Sequence, residues 1–156
     1  MQKAPPPGLV LSPEFFTRPS DEVGPDLVGK VLWRAGVGGG RLTEVEAYLP
    51  TGDPACHAAT GRTARNASMF GPPGCIYVYR SYGVHILLNL VCDAEGVGSA
   101  VLVRSFEPLN EAGLLRQNRG ITEGGDLRAV SCGPGRVGQA LGLPLGLDGL
   151  PLGEES

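Results

Sequence analysis

The run Glu44-Val45-Glu46-Ala47-Tyr48 sets two carboxylates and a phenol at alternate positions. In an extended strand alternate residues share a face, so Leu42, Glu44, Glu46 and Tyr48 stand together, roughly 7 Å from one to the next. Thr43, Val45, Ala47 and Leu49 fall on the other side, as a core face. A carboxylate beside an aromatic platform has the parts of a general base next to a stacking surface. A solvated strand face has the same composition, and the pattern alone leaves both readings open.

Three of the four tyrosines, Tyr77, Tyr79 and Tyr82, lie within six residues. Tyr77 and Tyr79 share a strand face, and Tyr82-Gly83 occupies a turn that pushes one ring outward. Such a set serves core packing, or it stacks on nucleobases and inserts between them, where each stacked base is worth about 1–3 kcal/mol. Gly133-Pro134-Gly135-Arg136 opens a helix whose amides and guanidinium suit a phosphate. Cys56-His57 sits in a long polar loop. A metal there needs further ligands, the only other histidine is His85, and no Cys-x-x-Cys occurs, so no metal site is predicted. Gly36-Val37-Gly38 is no dinucleotide loop, because its sixth position is Arg41 and a strand follows.

The elements that must position these groups follow from periodicity and turn chemistry. At 156 residues the chain has the size of one domain. Glycine (25) and proline (14) are abundant without a triplet period, which excludes a collagen-like chain and implies many turns between short strands. A Pro-rich lead covers residues 1–10. Ser12-Pro13-Glu14 starts a short helix bearing Phe15 and Phe16, and Ser20-Asp21-Glu22 starts a second that Gly29 closes. Strands are predicted over 30–35 and 41–49, joined at Gly38-Gly39-Gly40, and over 75–80, 83–92 and 99–105. Residues 50–74 form a loop of functional length. Helices follow over 109–117 and from Gly133 to Leu141, with a loop over 118–130. The fold class is α+β with a mostly antiparallel sheet.

The formal net charge of −3 argues against a broad basic surface. Residues 61–140 nevertheless carry eight arginines against six carboxylates. No apolar stretch of signal-peptide or membrane-spanning length occurs, so a cytoplasmic protein with no membrane association is expected, nucleoid-associated if bacterial.

Taken in order, Glu44-Val-Glu46-Ala-Tyr48, His57, Arg65-Asn66, Met69-Phe70, Gly74-x-x-Tyr77-Val-Tyr79-x-x-Tyr82-Gly83, Asn89, Val103-Arg104-x-x-Glu107-Pro108, Cys132-Gly-Pro-Gly and Gln139-Ala-Leu resemble the alkyladenine (3-methyladenine) DNA glycosylase family over about residues 9–143. The resemblance implies a single domain, over 11–143, with a curved sheet flanked by short helices and a protruding β-hairpin. It implies base-excision repair by a monofunctional glycosylase that flips alkylated or deaminated purines (3-methyladenine, 7-methylguanine, hypoxanthine, ethenoadenine) out of double-stranded DNA. Glu46 matches the general base that activates water. Arg104 matches a residue holding that water, and His57 contributes its carbonyl to the water and its side chain to the base pocket. Tyr48, His57 and Tyr79 match aromatic walls, Asn89 matches the group that penalises guanine's amine, and Tyr82 matches the intercalating wedge. Arg65, Gly135 and Arg136 are candidate phosphate contacts. A monomer without cofactor or metal is implied.

The sequence departs from the family after Leu143, where a short Gly/Leu/Pro-rich acidic tail (144–156) stands in place of a longer, more basic segment. That departure predicts an exposed sheet edge or apolar patch. It also keeps open a damaged-DNA-binding protein without turnover, besides a small-molecule enzyme or formyltransferase-like β domain sharing the architecture. Arg80 and His85 stand where apolar residues are expected.

Overall fold

A computed structural model describes residues 8–51, 61–109, 112–122 and 124–153. Five strands, β1 (Val31–Arg34), β2 (Gly38–Tyr48), β3 (Ile76–Ser81), β4 (His85–Cys92) and β5 (Ser99–Pro108), form one sheet. Their order is β1-β2-β5-β4-β3, and every neighbouring pair is antiparallel. Among the described residues four short α-helices accompany it: α1 (Ser20–Leu27), α2 (Gly113–Arg119), α3 (Arg128–Ser131) and α4 (Pro134–Leu141). The domain is α+β, with an open antiparallel sheet.

Local chemistry shifts several element boundaries from their expected places. Pro13–Phe16 closes only a 3₁₀ turn, and the Ser12 side chain caps nothing. Ser20 is the first helical residue, as expected, and its side chain is turned to the sheet. Gly38, Gly39 and Gly40 belong to β2, and the turn is Ala35-Gly36-Val37, with Gly36 at φ 76°. Glycine is required inside this strand. A Cβ on Gly39 would lie 1.9 Å from the Leu32 carbonyl oxygen, and one on Gly40 2.0 Å from that of Glu107. The two neighbouring backbones leave no room for a side chain. Part of the predicted 118–130 loop is helical, as the last two residues of α2 and the first three of α3.

The sheet is covered on both faces. Val78, Leu88, Leu90, Val101 and Val103 join Phe16, Val23, Leu27, Val137 and Leu141 in the larger core, under α1 and α4. α4 packs so closely on β4 that a Cβ at Gly138 would come within 1.9 Å of the Ile86 carbonyl oxygen. On the opposite face Tyr77, Val91 and Ala100 form a smaller core with Met69 and Cys75.

The edge expected to lie open is partly occupied. The Leu150 carbonyl accepts the Ile76 N–H at 2.8 Å, the Gly149 N–H donates to Ile76 at 2.8 Å, and the Leu152 N–H donates to Gly74 at 2.9 Å. Asp148 then accepts the Val78 N–H at 3.0 Å and the Ser68 hydroxyl at 2.7 Å. Residues 148–152 therefore satisfy backbone groups that an edge strand would otherwise present to a second chain. Among the described residues no helix is long and apolar enough to cross a membrane.

Candidate active site

β2 does not alternate cleanly, and its irregularity shapes the site. Leu42 pairs with Phe106, Glu44 with Ser105 and Val45 with Val103, so the register slips on either side of Glu44. Slippage exchanges faces. Leu42 is consequently buried in the larger core rather than aligned with Glu44 and Glu46, and Val45 packs there too. Thr43, expected in the core, is exposed and bonds the Ser105 hydroxyl at 2.9 Å.

Beyond the slip the pairing is regular and carries side chains across the sheet in rows. Glu46 pairs with Leu102, Leu102 with Asn89, and Asn89 with Tyr77. Four positions on four successive strands thus share one face, over roughly 14 Å. Tyr48, opposite Ala100, lies two residues further along on that same face, and Tyr79 lies two residues beyond Tyr77. This face is the one turned away from α1 and α4.

Glu46 is held by Arg104, whose Nη1 donates to Glu46 Oε2 at 2.7 Å. The Nε edge of the same guanidinium donates to Glu44 Oε1 at 3.0 Å. The bond to Glu44 is the largest cause raising the Arg104 pKa; burial opposes it, and the bond to Glu46 and the charges of both carboxylates add to the rise. The Arg104 backbone is anchored separately. Its carbonyl accepts the Gly133 N–H at 2.8 Å, and Ser105 bridges to Cys132. The Cys132-Gly133 turn therefore braces β5 where the catalytic candidate stands, a role not visible in its sequence.

The aromatic groups gather around Glu46. Burial and then the adjacent Glu46 charge push the Tyr48 phenol up to about 12. Burial also raises Tyr79, with Arg65 opposing and Glu46 adding. The Tyr77 and Tyr79 ring centroids lie 5.4 Å apart, inclined at 33°. Tyr48, Phe70 and Tyr79 pack on the smaller core. Asn89 is buried there, its amide donating to the Tyr77 carbonyl at 3.3 Å. The end of β2 is pinned from α1: the Ser20 hydroxyl donates to the Tyr48 carbonyl at 2.9 Å, and the Ser20 N–H to Ser99 Oγ at 3.1 Å. Sequence reasoning placed Ser20 only at a helix start and missed this tie, which connects residues far apart in the chain.

A second group lies at the β3–β4 hairpin. Tyr82 is 97% exposed, and Val84 beside it is 73% exposed. Tyr82 (φ 51°) and Gly83 (φ 69°) are the central residues of a turn closed by the Val84 N–H on the Ser81 carbonyl at 3.1 Å. Turns with two such residues match the twist of a hairpin, and Tyr82 occupies a backbone region most side chains avoid. Arg65 is exposed and reaches the Arg80 carbonyl at 2.9 Å. A groove of about 480 Å³ runs past Arg65, Tyr79, Arg80 and Asp148. Gly135 lies against His85, whose ring atoms would stand 2.9 Å from an added Cβ, so the start of α4 meets the base of the hairpin. Arg136 is exposed beside it. Arg80 and His85 are both exposed, which accounts for polar residues at both positions.

The structure thus brings Glu46, Arg104, Tyr48, Tyr79 and Asn89 together, and sets Tyr82, Arg65, Gly135 and Arg136 at the hairpin end. His57 lies outside the described residues. No group of three potential metal-binding side chains occurs among the described residues. Glu44, unassigned by sequence reasoning beyond its place on the strand face, is part of the ionic cluster.

A family model described as Methylpurine-DNA glycosylase (MPG) matches residues 14–156. A protein of Rhodopseudomonas palustris (strain HaA2), named "Putative 3-methyladenine DNA glycosylase", is 50% identical over 152 residues, 96% of this chain and 73% of the relative. A protein of Rhizobium meliloti (strain 1021) with the same name is 49% identical over 147 residues, covering 94% and 75% respectively. One from Burkholderia lata is 44% identical over 146 residues, covering 94% and 70%.

Proposed function

The chain belongs to the methylpurine-DNA glycosylase family, and from that premise we propose that it hydrolyses the N-glycosidic bond of alkylated or deaminated purines in double-stranded DNA, with Glu46 as general base. The observation that carries the reading is the Glu46 carboxylate, held at 2.7 Å by Arg104 on a sheet face shared with Tyr48, Tyr79 and buried Asn89.

A target base is inaccessible inside the duplex, so it is extruded at a cost of a few kcal/mol. The exposed Tyr82 ring at the hairpin tip fills the vacated stack and offsets part of that cost. Tyr48 and Tyr79 stack on the flipped purine, and their π faces favour a base made cationic by alkylation. Asn89 discriminates against an exocyclic amine at the pocket floor. Arg65, Arg136 and the Gly135 amide contact the DNA backbone. As the bond from C1′ to the ring nitrogen breaks, its electron pair leaves with the purine and positive charge develops on the sugar. The ionised Glu46 stabilises that charge and takes a proton from the attacking water, which Arg104 helps to hold. An alkylated purine departs neutral, whereas hypoxanthine must be protonated as it leaves.

No lysine follows Lys30, so the stretch from Glu44 onward that carries the site residues offers no lysine amine for a Schiff base, and an abasic site is the product. The mechanism calls on no cofactor, and one pocket with one wedge works as a monomer.

Base release from hypoxanthine- and 3-methyladenine-containing duplexes, compared between the wild type and Glu46→Gln, tests the proposal. The variant is expected to lose at least about a hundredfold in single-turnover rate while still binding lesion DNA. Equal rates would remove Glu46 from the chemistry. A folded wild type that binds lesion DNA but releases no base would make the chain a binding protein.

A further inference from the structure

The mechanism above uses Glu46 and Arg104 but leaves Glu44 idle, although the same guanidinium grips both carboxylates. Arg104 presents Nη1 to Glu46 at 2.7 Å and Nε to Glu44 at 3.0 Å. Two acceptors on different edges of a planar group fix its rotation as well as its position. With Nη1 alone the guanidinium could swing about a single contact. The anchoring of the Arg104 carbonyl by Gly133 fixes only the start of a long side chain.

Stability does not explain the arrangement. The Glu44 side chain is 59% exposed and that of Arg104 36% exposed. An ion pair so open to solvent contributes at most about 1 kcal/mol. The register slip at Glu44 also has a consequence here. Glu44 keeps the face of Glu46, while Leu42, two residues before it, is buried in the core. Regular alternation would have carried Leu42 onto that face as well. The irregularity therefore takes the apolar Leu42 off that face and leaves Glu44 alone at the Nε edge of Arg104.

We propose that Glu44 is a positioning residue, which locks the Arg104 guanidinium through Nε so that its Nη1 holds the Glu46 carboxylate in line for the water. This rests on the reading of Glu46 as the base. Glu44 touches neither water nor sugar; it acts through Arg104. Small displacements of a positioned group cost up to about a hundredfold in rate.

The test is single-turnover base release and lesion-DNA affinity for Glu44→Ala and Glu44→Gln, each alone and combined with Arg104→Ala. Glu44→Ala is expected to slow release about tenfold or more with affinity within about twofold of wild type. Glu44→Gln, whose amide oxygen still accepts from Nε, is expected to restore most of the rate. In the Arg104→Ala background Glu44→Ala is expected to add nothing, because the group it positions is gone. An unchanged rate for Glu44→Ala, a Gln variant as slow as Ala, or a full further loss without Arg104 would each overturn the proposal. All three outcomes can occur while Glu46→Gln remains inactive, so the failure of this inference is distinct from failure of the reading of Glu46.

Discussion

Tyr48 illustrates how much of this site resides in single side chains. Its ring packs on the smaller core, its carbonyl is held by Ser20, and its phenol stands beside a carboxylate. Burial and the Glu46 charge both oppose the phenolate, which pushes its pKa from the ordinary 10 up to about 12. Tyr48 is therefore a neutral, hydrogen-bond-donating wall at any physiological pH. A folded-state pKa above the unfolded value means that the unfolded chain loses its proton first as pH rises. The stabilising contribution is complete below pH 10 and is lost as pH passes from 10 through 12. Urea midpoints measured at pH 8 and between pH 10 and 12 should fall over that interval. Cys92, which burial pushes up to about 12, and Tyr79, raised in the same direction, act likewise. Tyr48→Phe should therefore reduce the alkaline fall without abolishing it. An identical fall in the variant would show that Tyr48 does not contribute.

At the scale of elements, close backbone approach decides which residues are allowed. α4 meets β4 at Gly138, where two opposing effects can be weighed. Alanine favours an isolated helix over glycine by about 1 kcal/mol. Its Cβ here would stand 1.9 Å from the Ile86 carbonyl oxygen, which belongs to the sheet backbone and cannot rotate away. Overpacking of this kind costs up to about 3 kcal/mol, so the clash wins. Gly138→Ala should lower stability by about 2 kcal/mol net in urea unfolding. Increased stability would mean that helix and sheet separate more readily than the geometry implies. The same reasoning explains why Gly38-Gly39-Gly40 reads as a turn in sequence and is a strand in the fold. Glycine serves turns through positive φ, but it also serves strands flanked too closely for a side chain, and only the neighbours distinguish the two. Gly39 and Gly40 are flanked by residues as distant as Glu107.

For the whole molecule, the segment after α4 acts on the opposite end of the chain's functional region. Asp148 ties the Val78 amide of β3 to Ser68, in the turn that carries Met69 and Phe70 beneath the tyrosines. Bonds to an ionised acceptor are worth about 1.5–3 kcal/mol. Asp148 is exposed, which places Asp148→Ala near the lower figure, about 1.5 kcal/mol of destabilisation by urea unfolding. Faster hydrogen exchange at the Val78 amide should accompany it. Unchanged exchange would show that β3 is held without this tie.

Much of this was legible in the chain. The hydrophobic alternation and turn residues located all five strands, because those signals are local. The spaced run from Glu44 to the Gln139 helix pointed to the family, and Tyr82-Gly83 announced its own turn. The slip at Glu44 was not legible, since register is a property of two strands, and it moved Leu42 and Thr43 to faces opposite those expected. The double grip of Arg104 on Glu44 and Glu46, the tie from Ser20 to Tyr48, and the cover that residues 148–152 give to β3 were equally hidden. Each joins groups dozens of residues apart. The sequence by itself determined which side chains are available and which elements carry them. Only the tertiary structure decided which acceptor each donor meets, because a hydrogen bond depends on distance in space, and the chain order of distant residues does not encode it.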